Sequence, residues 1–181
     1  FGFNAGSALA ADGSAGMAMF VTHISAATGA VTWMVIEKIK YGKSSGLGAI
    51  TGMVAGLATI TPASGSVGPA GALIVGLSGG VICYYATTYL KQVVKIDDSL
   101  DVFPVHGVGG IVGTFLAAIL VSGDLGIFSG NGYAEGATMA SQMGVQVTGI
   151  IATAIYTAII TFALLKFVGV LTSGIRVDDD Q

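Results

Sequence analysis

Five long apolar stretches, following a shorter stump, dominate this chain of 181 residues. A helix needs about 20 predominantly apolar residues to cross a bilayer, and it must satisfy its own backbone polar groups because hydrocarbon offers them no partner. The stump runs from Phe1 to Ala8. The first full stretch covers roughly Gly16 to Ile36. The second is short, roughly Leu47 to Thr61, and closes at Pro62. The third covers roughly Pro69 to Leu90 and the fourth roughly Val102 to Val121. The last, Glu135 to Leu171, would reach about 55 Å as one helix, more than the hydrocarbon core, so it has to tilt, kink or project. The pattern predicts an all-α, polytopic membrane protein.

Composition closes the alternatives. Apolar residues make up 53% of the chain and charged residues only 9%, against about 25% charged in soluble domains. Disorder needs the opposite balance. Cys83 is the only cysteine, so there is no disulfide framework, and inside a span it reads as a reduced, small apolar residue. A net charge of -3 argues against a nucleic-acid partner. The 29 glycines suit membrane helices that approach closely. The chain opens on Phe1-Gly2-Phe3-Asn4, without Met or a basic signal region, and reads as entering partway through an apolar segment of a longer protein.

The seven basic residues test the spans. Lys38, Lys40 and Lys43 follow the first full stretch. Lys91 and Lys95 follow the third, and Lys166 and Arg176 lie at the end of the last. With alternating spans these places share one membrane face. The opposite connections, Ala8 to Ala15, Pro62 to Gly68 and Gly123 to Ala134, hold Asp12 and Asp124 but no Lys or Arg. The positive-inside rule makes the basic face cytoplasmic. The expected layout is a transmembrane region over 1–175 and the start of a cytoplasmic tail over 176–181. Small residues recur every four positions at Gly48, Gly52 and Gly56, at Ala72, Gly76 and Gly80, and at Gly109 and Gly113. That spacing makes flat helix faces for packing and says nothing of cargo.

Soluble-enzyme motifs and metal-spaced Cys/His clusters are absent, so no catalytic residue, metal or cofactor is expected. Polar residues at membrane depth carry the interest. His106 follows Asp101-Val102-Phe103-Pro104-Val105, about 7.5 Å deeper along a helix than Asp101. An ionisable group there is a functional candidate, and a neutral imidazole both donates and accepts. It could serve a pore for a small polar molecule, relay a proton, or simply bond a neighbouring helix. His23, within Val21-Thr22-His23-Ile24-Ser25, reads as an interhelical hydrogen-bonding position. Asp97, Asp98 and Asp101 suit the N-terminus of the fourth span as caps. Pro104 is tolerated if that helix starts near Asp101; a start near Asp98 would imply a kink. Phe1, Phe3, Asn4 and Ser7 could attract a cation through aromatic faces and a hydroxyl, or could belong to an interfacial aromatic belt. An intramembrane hydrolase would need a nucleophile near His106, such as Ser99, Thr114 or Ser122.

Phe1-Gly2-Phe3-Asn4-Ala5-Gly6-Ser7 resembles a signature of the ammonium transporter (Amt/Mep/Rh) family, and Asp101-Val102-Phe103-Pro104-Val105-His106-Gly107 resembles a second. Thr61-Pro62-Ala63-Ser64-Gly65, Gly71-Ala72-Leu73-Ile74 and the closing Gly174-Ile175-Arg176-Val177 follow in the family's order. The resemblance covers essentially the whole chain and is to the C-terminal half of an eleven-span, inverted-repeat ammonium channel, entered late in the sixth span.

The resemblance implies passage of ammonium or ammonia through a hydrophobic, histidine-lined pore. It implies that His106 is one of two pore histidines, Phe3 one of two phenylalanines gating the outer entrance, and Ser7 the serine of the outer recruitment site. His23 matches no pore position. The implied partners are membrane lipid, two further copies in a homotrimer, the N-terminal half of the same protein and a PII-type regulator acting through the tail. The implied location is the plasma membrane. A sensor on the same fold, or a structural membrane subunit, is the alternative.

Overall fold

The structure is a computed structural model and describes residues 1–172, 174 and 175. Arg176 and the tail expected over 176–181 lie outside the described residues. Within the described residues every regular element is helical, and four helices are long and apolar enough to cross a membrane: Gly13–Tyr41, Pro69–Val94, Phe103–Leu120 and Met139–Leu171. A shorter apolar helix, Gly46–Ile60, lies between the first two. The chain divides into two compact units, 1–143 and the remainder from Gly144.

Caps decide where the helices begin and end. The stump forms a short helix, α1 (Gly2–Gly6). α2 (Gly13–Tyr41) starts three residues before the apolar pattern does, because the Asp12 carboxylate accepts from the Ser14 and Ala15 amides at 2.9 and 3.3 Å. It runs past Ile36 with Lys38 and Lys40 in its last turn, where the dipole favours cations, and ends at Gly42 with φ 76°. α3 (Gly46–Ile60) is capped by Ser45, whose Oγ accepts from Gly48 N–H at 2.8 Å. The Glu37 carboxylate reaches back from α2 to the Ser45 amide at 2.7 Å, which ties the hairpin. α4 (Pro69–Tyr89) starts with proline in its first turn and continues as a π-helical turn over Leu90–Val94. A second π-helical turn, Phe103–Gly107, leads into α5 (Val108–Leu120).

Small residues bring α2, α3 and α4 together, as the four-residue spacing requires. A Cβ added to Gly29 of α2 would stand 3.0 Å from the Gly56 Cα, and one added to Gly76 of α4 would stand 2.8 Å from the Thr28 Cβ. Backbones that close leave no room for a methyl group, and they allow Ser25 Oγ to donate across the gap to the Gly56 carbonyl at 2.9 Å. Two buried clusters fill the remaining space. One holds Val21, Ile60, Val67, Val75 and Leu120. The other holds Trp33, Ala55, Cys83, Tyr84 and Val105, so Cys83 is the small, free, buried residue its place in a span suggested.

The two ends of this unit differ in character. At one end the connections after α3 and α5 are knitted together: Asn131 N–H donates to the Ser66 carbonyl at 2.9 Å and its side-chain amide to the Gly65 carbonyl at 2.8 Å. At the other, Lys40 of α2 sits over the Tyr84 and Tyr85 rings of α4, 4.9 and 4.5 Å from their centroids, and Tyr84 meets Tyr41 hydroxyl to hydroxyl at 3.3 Å. Within this unit the connections after α3 and α5, which carry no Lys or Arg, therefore adjoin one another, and Lys40 near the end of α2 adjoins the end of α4.

α6 (Met139–Leu171) is one unbroken helix of 33 residues, about 50 Å long. It begins later than Glu135 because Thr138 and Ser141 cap it reciprocally: each amide donates to the other's hydroxyl, at 2.9 and 3.2 Å.

Candidate functional site

His106 owes its position to the turn it stands on. The Asp98 carboxylate accepts from the Val102 and Phe103 amides at 2.9 and 2.8 Å, capping the start of that segment. Of the three aspartates, Asp98 is the cap. Asp97 accepts from Ser99 Oγ at 3.4 Å. Asp101 has a left-handed backbone, φ 56°, and pairs with Lys91 Nζ at 2.8 Å. The helix starts just after Asp101, so Pro104 falls in its first turn, where its missing N–H leaves no gap. The turn is wide: Val108 N–H reaches back five residues to the Phe103 carbonyl.

Burial then separates anchor from free group. Pro104 and Val105 are buried, Val105 against the cluster of Trp33, Cys83 and Tyr84. His106, the next residue, is exposed. Among the described residues its ring makes no hydrogen bond, so the bland reading of a histidine bonded to a neighbouring helix finds no partner there. Beside it the Phe103 ring lies over Gly107, where an added Cβ would stand 3.0 Å from the ring.

The other candidates sit on a separate element. α1 packs on α2, held by the buried Asn4, whose side-chain amide donates to Thr22 Oγ1 at 3.0 Å. That bond leaves Phe3 on the surface at 77% exposure, and Ser7 exposed with its Oγ donating to the Phe3 carbonyl at 2.7 Å. His23 is exposed and packs on Phe1, ring centroids 5.5 Å apart, instead of bonding between helices. Thr22 makes the interhelical bond foreseen for its neighbour. The structure thus joins Phe3 to Ser7 on α1, while His106 stands on the turn that packs against α3 and α4.

The hydroxyls weighed as nucleophiles are engaged elsewhere. Ser99 Oγ donates to Asp97, Thr114 Oγ1 donates to the Gly110 carbonyl at 2.8 Å, and Ser122 Oγ accepts from Asp124 N–H at 3.3 Å. Among the described residues, no three His, Cys, Asp or Glu side chains gather as a metal site.

Comparison with known proteins decides the family. The profile of the Ammonium Transporter Family matches residues 1–181. The chain belongs to the ammonium transporter family. It is 39% identical to the ammonium transporter of Aquifex aeolicus over the whole chain, which covers 42% of that protein. It superposes on the crystal structure of Candida albicans Mep2 with a TM-score of 0.84 at 32% identity, over 99% of this chain and 40% of that one. It superposes on a structure described as a Sensor Amt Protein with a TM-score of 0.74 at 30% identity, over 83% of this chain and 36% of that one. The chain spans less than half the length of the relatives it matches. Its apolar helices and its family make it part of an integral membrane protein.

Proposed function

We propose that this chain is the C-terminal half of an ammonium transporter and supplies one wall of a hydrophobic pore. The observation that carries the reading is His106: an exposed imidazole without a hydrogen bond among the described residues, fixed by two buried neighbours, in a member of this family. In the whole protein Phe3 gates the outer entrance, and Ser7 helps hold ammonium there through its hydroxyl oxygen. The N-terminal half supplies the opposite wall, including the partner histidine. The basic helix ends face the cytoplasm across the plasma membrane, 1–175 forms the transmembrane part, and a PII-type regulator acts through the tail that begins at 176. Three copies assemble, each with its own pore.

The selectivity follows from solvation. A bare cation in apolar surroundings is very costly, so a dry pore rejects K⁺. Ammonium can leave a proton behind and cross as ammonia. Aromatic faces and a hydroxyl hold the cation outside, where its proton stays, and the imidazole offers ammonia polar contact without a fixed charge. A sensor that binds ammonium without sustained flux is the second reading, favoured by the likeness to the Sensor Amt Protein. Ammonium-driven alkalinisation inside proteoliposomes holding the full-length protein tests the two. Rapid alkalinisation unaffected by excess K⁺ is expected of the transporter. The rate of empty liposomes would contradict transport and leave the sensor.

A further inference from the structure

Two wide turns face each other across the connection between α4 and α5. α4 ends in the π-helical turn Leu90–Val94 and stops at Lys95 with φ 57°, while α5 is entered through Asp101 with φ 56° and the π-helical turn Phe103–Gly107. Left-handed backbone at a non-glycine residue is uncommon, and a π turn persists only where its surroundings hold it. Lys91 lies in the first turn and Asp101 opens the second. Their side chains meet at 2.8 Å, with Asp101 17% exposed and Lys91 43% exposed. Asp98 already caps the helix, so the Asp101 carboxylate is not needed for that purpose. The Asp101 carbonyl meanwhile accepts from Val105 N–H at 3.0 Å, one residue before His106. A tether on the Asp101 side chain therefore acts directly on the backbone that aims the imidazole.

We propose that Lys91 and Asp101 are positioning residues for His106: their ion pair ties the end of α4 to the entry of α5 and holds the wide turn that sets the direction of the ring. The proposal rests on the reading of His106 as a pore residue. With the tether cut, the turn relaxes to ordinary α-helix, and Val108 N–H moves from the Phe103 carbonyl to that of Pro104. Each residue of an α-helix advances the chain by about 100°, so the loss of the wide turn swings His106 away from its present direction.

The test uses the full-length protein with Lys91→Met, Lys91→Arg and Asp101→Asn. Asparagine tolerates the left-handed backbone, so the last variant removes the charge and spares the conformation, and it carries the test if Lys91→Met folds poorly. The first readout is the structure of the variant; the second is methylammonium uptake per folded protein. Lys91→Met and Asp101→Asn are expected to shift the Val108 bond to Pro104. They are also expected to lower maximal uptake about fivefold, the scale of a partly exposed ion pair. The half-saturating concentration should stay unchanged, since Phe3 and Ser7 are untouched, and Lys91→Arg should keep both properties. An unshifted turn with His106 in place in both uncharged variants would overturn the proposal, as would a Lys91→Arg variant behaving like Lys91→Met. A shifted turn with wild-type uptake would uphold the positioning and instead contradict the pore role of His106.

Discussion

Between residues 104 and 106 the chain passes from a buried ring to an exposed one, and that step defines the chemistry available to the site. Pro104 and Val105 fill space among helices, whereas His106 contributes a group with no structural bond among the described residues. Phe3 is likewise nearly free of packing at 77% exposure. Phe3→Ala should therefore leave thermal stability in detergent within about 0.5 kcal/mol of wild type while altering ammonium uptake. Unaltered uptake would remove Phe3 from the conduction path. Ser25 presents the opposite case, buried with its hydroxyl spent on the Gly56 carbonyl. Ser25→Ala should lower stability by about 1 kcal/mol, read as a fall in melting temperature, with uptake per folded protein unchanged. At this scale the sequence singles out His106, and Phe3 with Ser7, as candidates, and the structure places Phe3 and Ser7 together at α1 and His106 on a separate turn. Nothing in the spacing tells Asp98 from Asp101 as the cap, because that choice depends on the left-handed turn at Asp101 and on Lys91, ten residues back.

Elements meet here through absent side chains more than through large ones. Gly113 of α5 lies against the Thr59 carbonyl, and a Cβ there would also stand 3.2 Å from the Pro62 ring. Neither backbone nor proline ring yields cheaply, so Gly113→Val should cost about 1–3 kcal/mol or more and reduce the folded fraction. A melting temperature equal to wild type would mean that α3 and α5 can separate without penalty. The glycine stripes predicted these contacts because four-residue spacing has one geometrical meaning on a helix. Helix ends were less legible: α2 and α6 moved by three or four residues at their starts, each displaced by a polar cap at Asp12 or Thr138 that hydropathy ignores. The two π-helical turns could not be read at all. They depend on where a carbonyl finds its amide, which neither hydropathy nor residue spacing records.

Across the whole molecule, charge marks direction. Within residues 1–143, Lys38 and Lys40 lie in the last turn of α2 and Lys91 at the end of α4, with Lys40 over two tyrosines, and the connections knitted through Asn131 carry no Lys or Arg. Lys43→Cys should accordingly be labelled by an impermeant reagent only from the cytoplasmic side, and Asp124→Cys only from outside. Labelling of both from one side would break the alternation of spans. In the sequence, hydropathy and the basic residues point to that alternation independently. In the proposed pore, surfaces from beyond this chain set what His106 and Phe3 face. The most direct measurement is methylammonium uptake by proteoliposomes containing the full-length protein with His106→Ala, normalised to folded protein. Uptake reduced by about tenfold or more, equivalent to about 1.4 kcal/mol, is the predicted result. Wild-type uptake with wild-type exclusion of K⁺ would contradict the assignment of His106 to the pore.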